Sequence, residues 1–197
     1  MDLFGPVNVM CRGKKRYSLV MVDDFTRYTW VDFLHTKYEA TNIIIDHIKK
    51  LEKGSENAVV TLRSDNGTEF RNGVLNEFCK NHGITQQFSA PRTPQQNGVV
   101  ERKNRTLVEA SRTMLWDAKL PTSFWAEAVN TACYIQNRYL INKIQGNYPY
   151  SLMTGKKPTL KHLYVFGSKC FVLKDTSEYF GKFDSKAFEA IFLGYSL

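Results

Sequence analysis

An α/β fold built on a mixed five-stranded sheet flanked by helices is predicted from three observations. Three strand-like runs come before any helix, strand and helical stretches then alternate, and two long helical stripes follow the last strand of that series.

The first residues, around Asp2, form the first strand. Residues 17–22 and 28–34 are rich in β-branched, aromatic and aliphatic residues, and the turn-forming string Asp23-Asp24-Phe25-Thr26-Arg27 between them predicts a β-hairpin. Residues 37–53 carry Ile43, Ile44, Ile48 and Leu51 at helical spacing and end at Gly54, a C-cap residue. Residues 59–62 predict a short strand running into Asp65, residues 69–82 a helix closed by Gly83, and residues 84–88 a fifth strand. Residues 90–98 hold two prolines and a final glycine, the composition of an exposed loop. From Val100 a stripe of Leu107, Val108, Met114, Leu115 and Ala118 predicts a helix ending before Pro121, and a second runs from Thr122 or Ser123 to about Asn142. Residues 148–161 shift to proline, glycine and lysine, which predicts a connection. Beyond it, residues 164–173 and 187–193 read as strands on either side of a polar stretch that includes residues 175–178.

The length of 197 residues suits one ordinary domain with a small appendage. No apolar run approaches the roughly 20 residues that cross a bilayer, so no membrane partner is expected, and the start of the chain lacks the basic-then-apolar pattern of a signal peptide. Twenty-seven basic against nineteen acidic residues give a net charge of +8, which favours a polyanionic partner, nucleic acid first. Cys11, Cys79, Cys133 and Cys170 contain no C-x-x-C pair and the four histidines lack ligand spacing, so reduced, mostly buried thiols are expected instead of a zinc site or disulfides. Trp30, Trp116 and Trp125 are expected to pack in the core.

Asp65 and Glu101 carry the chemistry. They stand in the strings Ser64-Asp65-Asn66-Gly67 and Asn97-Gly98-Val99-Val100-Glu101, with 35 residues between them. A phosphodiester repels nucleophiles, and enzymes that attack one commonly hold two divalent cations about 3.5–4 Å apart. Magnesium takes one or two carboxylates with phosphate and water, so a few acids converging from separate elements suffice. Each acid also has a plainer use, because Asp-Asn-Gly is good turn chemistry and a glutamate gains about 0.3–1 kcal/mol at a helix start. A third acid is needed, and on periodicity alone Asp2, Asp23 and Asp24 all qualify. Glu69 and Glu109 read as helix-start and solvated charges. Arg102, Lys103, Arg105 and Arg112 give the Glu101 helix a basic flank able to grip phosphates, and Lys14-Lys15-Arg16 reads as a hairpin edge or loop.

The strings Asp2-Leu3-Phe4-Gly5-Pro6, Leu62-Arg63-Ser64-Asp65-Asn66-Gly67-Thr68-Glu69-Phe70 and Thr93-Pro94-Gln95-Gln96-Asn97-Gly98-Val99-Val100-Glu101-Arg102-Lys103-Asn104 resemble the integrase core of copia-type retrotransposons. The resemblance covers nearly the whole chain and implies a ribonuclease H-like fold. It places the family's catalytic, metal-binding triad on Asp2, Asp65 and Glu101, and makes Asp23-Asp24 the turn. It implies two magnesium or manganese ions, trimming of element DNA ends, and attack of the new 3′-hydroxyl on target DNA. Asn97 and Gly98 would border the DNA end alongside the basic flank. Element ends, target DNA and a homo-oligomer are the partners implied, with action in the nucleus. The zinc module that precedes such cores has no counterpart in this chain, so no zinc is expected. The implied organisation is a catalytic core over residues 1–145, a linker over 146–160, and over 161–197 the start of a small β-barrel-like extension. Two rival functions share these features, a catalytically inactive DNA-binding remnant and a ribonuclease acting on hybrids; the 35-residue interval and the string at 97–104 argue against the second.

Overall fold

The computed structural model describes residues 1–54, 58–89, 97–174 and 183–195. Strands β1 (Asp2–Phe4), β2 (Tyr17–Val22) and β3 (Thr29–Leu34) form an antiparallel sheet in that order, with Asp2 opposite Val20 and Tyr17 opposite Leu34. The hairpin turn is made by Asp23, whose Oδ2 accepts from both the backbone N–H and the hydroxyl of Thr26 at 2.7 Å. Arg27 takes a left-handed φ of 62° there and pairs with Asp24 at 2.5 Å.

A 3-10 turn (Lys37–Glu39) leads into α1 (Ala40–Gly54). Glu39 starts it by reaching back to accept the Thr36 N–H at 2.8 Å. Strand β4 (Thr61–Ser64) pairs in parallel with β5 (Thr85–Phe88), and α2 (Gly73–Asn81) makes the crossover. Helix α2 begins at Gly73 and not near Glu69, because Asn72 caps it by accepting the Leu75 N–H at 3.0 Å. All five expected strands are present, in two hydrogen-bonded ladders that meet where the Met1 amine donates to Arg63 O at 2.7 Å.

Helices α3 (Gly98–Asp117) and α4 (Trp125–Tyr139) follow, separated by a 3-10 turn (Thr122–Phe124). The expected loop at 90–98 lies outside the described residues as far as 96, and α3 starts at Gly98, two residues earlier than its apolar stripe suggests. Inside the expected connection the chain forms a six-residue helix, α5 (Pro149–Thr154), with proline at its start and Gly155 at φ 70° after its end. Strands β6 (Lys169–Leu173) and β7 (Ala187–Ile191) pair antiparallel. Strand β6 begins later than the sequence suggests because Gly167, at φ +81°, turns the chain against Ala118. Among the described residues this pair closes no barrel, and residues 175–182, which include the polar stretch, lie outside them.

The sheet separates two apolar layers. Val20 and Val31 face α3 and α4, packing with Val100, Leu107, Trp125 and Val129. Leu19, Met21 and Leu34 face the other way onto Ile44 and Ile48 of α1 and Leu75 of α2. This is the period-two alternation of strands covered on both faces. Phe166 and Leu193 join the α3–α4 layer and dock the C-terminal segment. The four cysteines are free thiols, three of them buried. Trp125 is buried as expected and Trp30 packs edge-on against His47, but Trp116 is 83% exposed. It falls on the outward stripe of α3 with Arg105, Glu109 and Arg112, away from Leu107 and Leu115. No helix among the described residues is long and apolar enough to cross a membrane.

Candidate metal and nucleic-acid site

Asp2 lies on β1 with both carboxylate oxygens engaged. Oδ1 accepts the Leu3 N–H at 3.0 Å and Oδ2 accepts the Asn104 amide at 2.5 Å. Burial holds the Asp2 carboxyl above the usual carboxylate range and the charge of Asp65 adds to this, while the bonds from Asn104 and Leu3 and the Met1 ammonium oppose it. The Met1 amine is pushed down to about 6 by its own burial, despite the nearby carboxylates of Asp2 and Asp65. Two acids from neighbouring strands thus share one partly buried place.

Asp65 follows the last residue of β4, and its Oδ1 accepts the Gly67 N–H at 3.0 Å, closing a tight turn at the carboxyl end of a parallel strand. The carboxylates of Asp65 and Glu69 both close over Gly67. A Cβ on it would lie 3.0 Å from Asp65 Oδ1 and 2.7 Å from the Glu69 carboxyl carbon. Glu69 therefore belongs to the Asp65 turn and does not start a helix as the sequence suggests; its side chain is 8% exposed and pairs with Lys37 at 3.5 Å. Asp23 lies three residues beyond Val20, the partner of Asp2, about 10 Å along the strand. It is occupied in the hairpin turn with Asp24.

Glu101 lies in the first turn of α3, exposed, with its N–H on Asn97 O at 3.2 Å. It precedes Asn104 by three residues, on the same helix face and about 4.5 Å along the axis. Among the described residues, no three of histidine, cysteine, aspartate and glutamate are close enough to hold a metal ion together. The structure brings Asp2 and Asp65 together and leaves Glu101 one helical turn away, on the helix that Asn104 ties to Asp2. The donor set still fits a hard divalent cation. The charge of Asp65 adds to the cost of ionising Asp2, and the buried Asn104 Oδ1 beside Asp2 has no hydrogen-bond partner among the described residues. Asn104 is the site residue that reasoning on acids alone passes over; its signal is the i+3 spacing from Glu101.

The basic flank divides. Arg102, Arg105 and Arg112 are exposed along α3. Lys103 turns inward, donates to Gln136 of α4 at 3.2 Å, and has its pKa lowered by burial, so it leaves the flank. Asn97 and Gly98 are buried at the helix start, under the folded-back Arg102 side chain that lies 3.1 Å from where a Gly98 Cβ would stand.

Residues 1–94 match the family model described as "Integrase core domain". The chain is 39% identical over 194 residues to the Retrovirus-related Pol polyprotein from transposon TNT 1-94 of Nicotiana tabacum, covering 98% of this chain and 14% of that protein. Against the Retrovirus-related Pol polyprotein from transposon RE1 of Arabidopsis thaliana it is 36% identical, covering 96% of this chain and 13% of that one. The chain therefore spans only a small part of the curated relatives it matches. Among solved structures, the fold resembles a chain of the simian T-cell lymphotropic virus intasome in complex with PP2A regulatory subunit B56 gamma, with a TM-score of 0.59 at 17% identity over 96% of this chain and 66% of that one. It also resembles the HTLV-2 integrase catalytic core domain in complex with magnesium (trimeric form), with a TM-score of 0.53 at 20% identity over 77% of this chain and 95% of that one. On these matches, residues 1–94 belong to the integrase core family, and nearly the whole chain aligns with one segment of copia-type retrotransposon Pol polyproteins.

Proposed function

We propose that the chain catalyses DNA integration chemistry, trimming the 3′ ends of an element's DNA and joining them to target DNA, with Asp2, Asp65 and Glu101 as the catalytic, metal-binding acids. The observation that carries this reading is the shared location of Asp2 and Asp65, tied through Asn104 to the helix of Glu101. Two magnesium or manganese ions, when bound, supply the activation of the attacking oxygen and the neutralisation of the leaving one. Asp2, Asp65 and Glu101 would hold them, and Asn104 orients Asp2. Arg102, Arg105 and Arg112 grip phosphates without reading sequence. We assign the reaction to residues 1–145 and treat 161–197 as a β-rich extension docked on it. DNA ends and target DNA are the substrates, two ends require a homo-oligomer, and the reaction belongs in the nucleus.

The test is strand transfer of pre-trimmed DNA ends, in magnesium or manganese, by the 197-residue chain and its Asp65→Asn variant. Activity lost only in the variant supports the reading. Inactivity in both, with salt-sensitive DNA binding retained and circular dichroism showing a fold, favours an inactive DNA-binding remnant, the reading that the outlying Glu101 carboxylate would suit.

A further inference from the structure

A cavity of about 480 Å³ opens beside the Asp65 turn, and its wall includes Arg16, His35, Lys37, Tyr38, Thr68 and Glu69. We propose that this pocket is a second phosphate-binding site, taking the backbone of a DNA strand a few nucleotides from the phosphodiester that reacts. This rests on the reading above and extends it to residues that neither the acid triad nor the α3 flank includes.

Three features support it. The first is continuity with the reacting acids: Thr68 and Glu69 belong to the turn that positions Asp65, with the Glu69 carboxyl against Gly67. The second is charge. Glu69 is nearly buried and holds the half-exposed Lys37 ammonium at 3.5 Å, which fixes that cation at the pocket wall. Arg16 uses only its Nε on a backbone carbonyl, that of Val7 at 3.4 Å, and no carboxylate pairs with it among the described residues, so its terminal nitrogens remain for a fork-like grip on phosphate. His35 donates through Nδ1 to Lys14 O at 2.8 Å, leaving Nε2 as its other ring nitrogen, and the Tyr38 ring is 87% exposed, able to lie on a sugar or base.

The third feature is scale. Arg16 lies four residues along the sheet from Val20, the register partner of Asp2, about 13 Å at strand rise. One strand of duplex DNA places a phosphate every 3.4 Å or so of helix axis, so that span matches about four nucleotides. A strand whose reacting phosphate lies at Asp2 and Asp65 can therefore present a later phosphate to Arg16 and Lys37.

The experiment measures DNA binding by fluorescence anisotropy without divalent metal, across a salt series, using a blunt duplex and a duplex with a recessed 3′ end. Each phosphate contact contributes about 0.9 to the slope of log affinity on log salt. The Arg16→Ala/Lys37→Ala double variant is expected to bind about tenfold more weakly near 0.1 M salt and to lose between one and two units of slope. Arg16→Lys/Lys37→Arg should keep the slope. Lys156→Ala/Lys157→Ala, which removes two exposed cations elsewhere, should change it far less. Loss on the blunt duplex alone assigns the pocket to target DNA, loss on the recessed one alone assigns it to the element end, and loss on both assigns it to either strand. A double variant with the wild-type slope on both duplexes, folded by circular dichroism, overturns the proposal. Wild-type protein without metal-dependent strand transfer would instead overturn the catalytic reading, so the two failures are distinct.

Discussion

Asn104, buried on α3, donates its side-chain amide to Oδ2 of Asp2 at 2.5 Å, joining the helix of Glu101 to a strand residue 102 positions earlier in sequence. The bond opposes the cost of ionising Asp2, which burial and the Asp65 charge both increase. Groups that orient a metal-binding carboxylate typically matter by 10–100-fold when removed. Asn104→Ala is therefore expected to lower strand transfer by roughly that factor. Asn104→Asp should be worse, because it sets a third carboxylate against two that already repel. Wild-type rates in Asn104→Ala, measured under single-turnover conditions, would remove Asn104 from the site.

Glu101 separates catalysis from stability. Its side chain is exposed and has no ion-pair partner among the described residues, so Glu101→Gln should lose only the helix-start charge effect and shift unfolding by no more than about 1 kcal/mol. Strand transfer should fall to background in the same variant. Denaturant unfolding and an end-joining assay on one preparation decide it, and retained joining would dismiss Glu101 as a catalytic acid.

How much of this was legible beforehand depends on range. The strands, the α1 stripe and the hairpin turn follow from local chemistry, as with Asp23 bonding Thr26 three residues on. The settings of Asp65 and Glu101 likewise announce two acids from different elements. What was not legible depends on contacts far apart in sequence. Lys103 reads as one more cation on a basic helix, and only the approach of α4 turns it onto Gln136. Trp116 reads as core by residue type, yet the phase of α3 set by Leu107 and Leu115 places it outside. Glu69 reads as a helix start until Asn72 takes the cap and leaves it packed against Gly67. Asn104 stands one helical turn from Glu101, a spacing with no meaning until the fold sets its partner on β1 against it.

His47 gives a pH dependence. Burial, with help from Lys50, pushes its imidazole down from 6.5 to about 4, and its Nε2 is enclosed without a hydrogen-bond partner beside the Trp30 ring. The folded chain therefore keeps His47 neutral until about pH 4, while the unfolded chain binds the proton below about 6.5. The stability associated with neutral His47 is complete above pH 6.5 and is lost as pH falls toward 4. His47→Leu should therefore show a shallower fall in Tm between those values than the wild type. Parallel curves from thermal unfolding would contradict the burial of an uncharged imidazole.

The two tryptophans nearest the α3–α4 connection should behave oppositely. Trp125 is 6% exposed, its indole N–H donates to Val9 O at 3.0 Å, and its ring meets Phe33 at 5.4 Å and Phe4 at 6.3 Å. Truncation leaves a cavity under the sheet and an unpaired carbonyl, so Trp125→Ala should cost about 3–5 kcal/mol. Trp116, 83% exposed, has little packing to lose, and alanine is the better helix former. Trp116→Ala should therefore change stability by no more than about 0.5 kcal/mol in either direction. Urea unfolding of both variants makes the comparison. A loss above about 2 kcal/mol in Trp116→Ala would mean that this ring is covered in solution, by association of the chain or by its own packing, and the dependence of the transition on protein concentration would tell which.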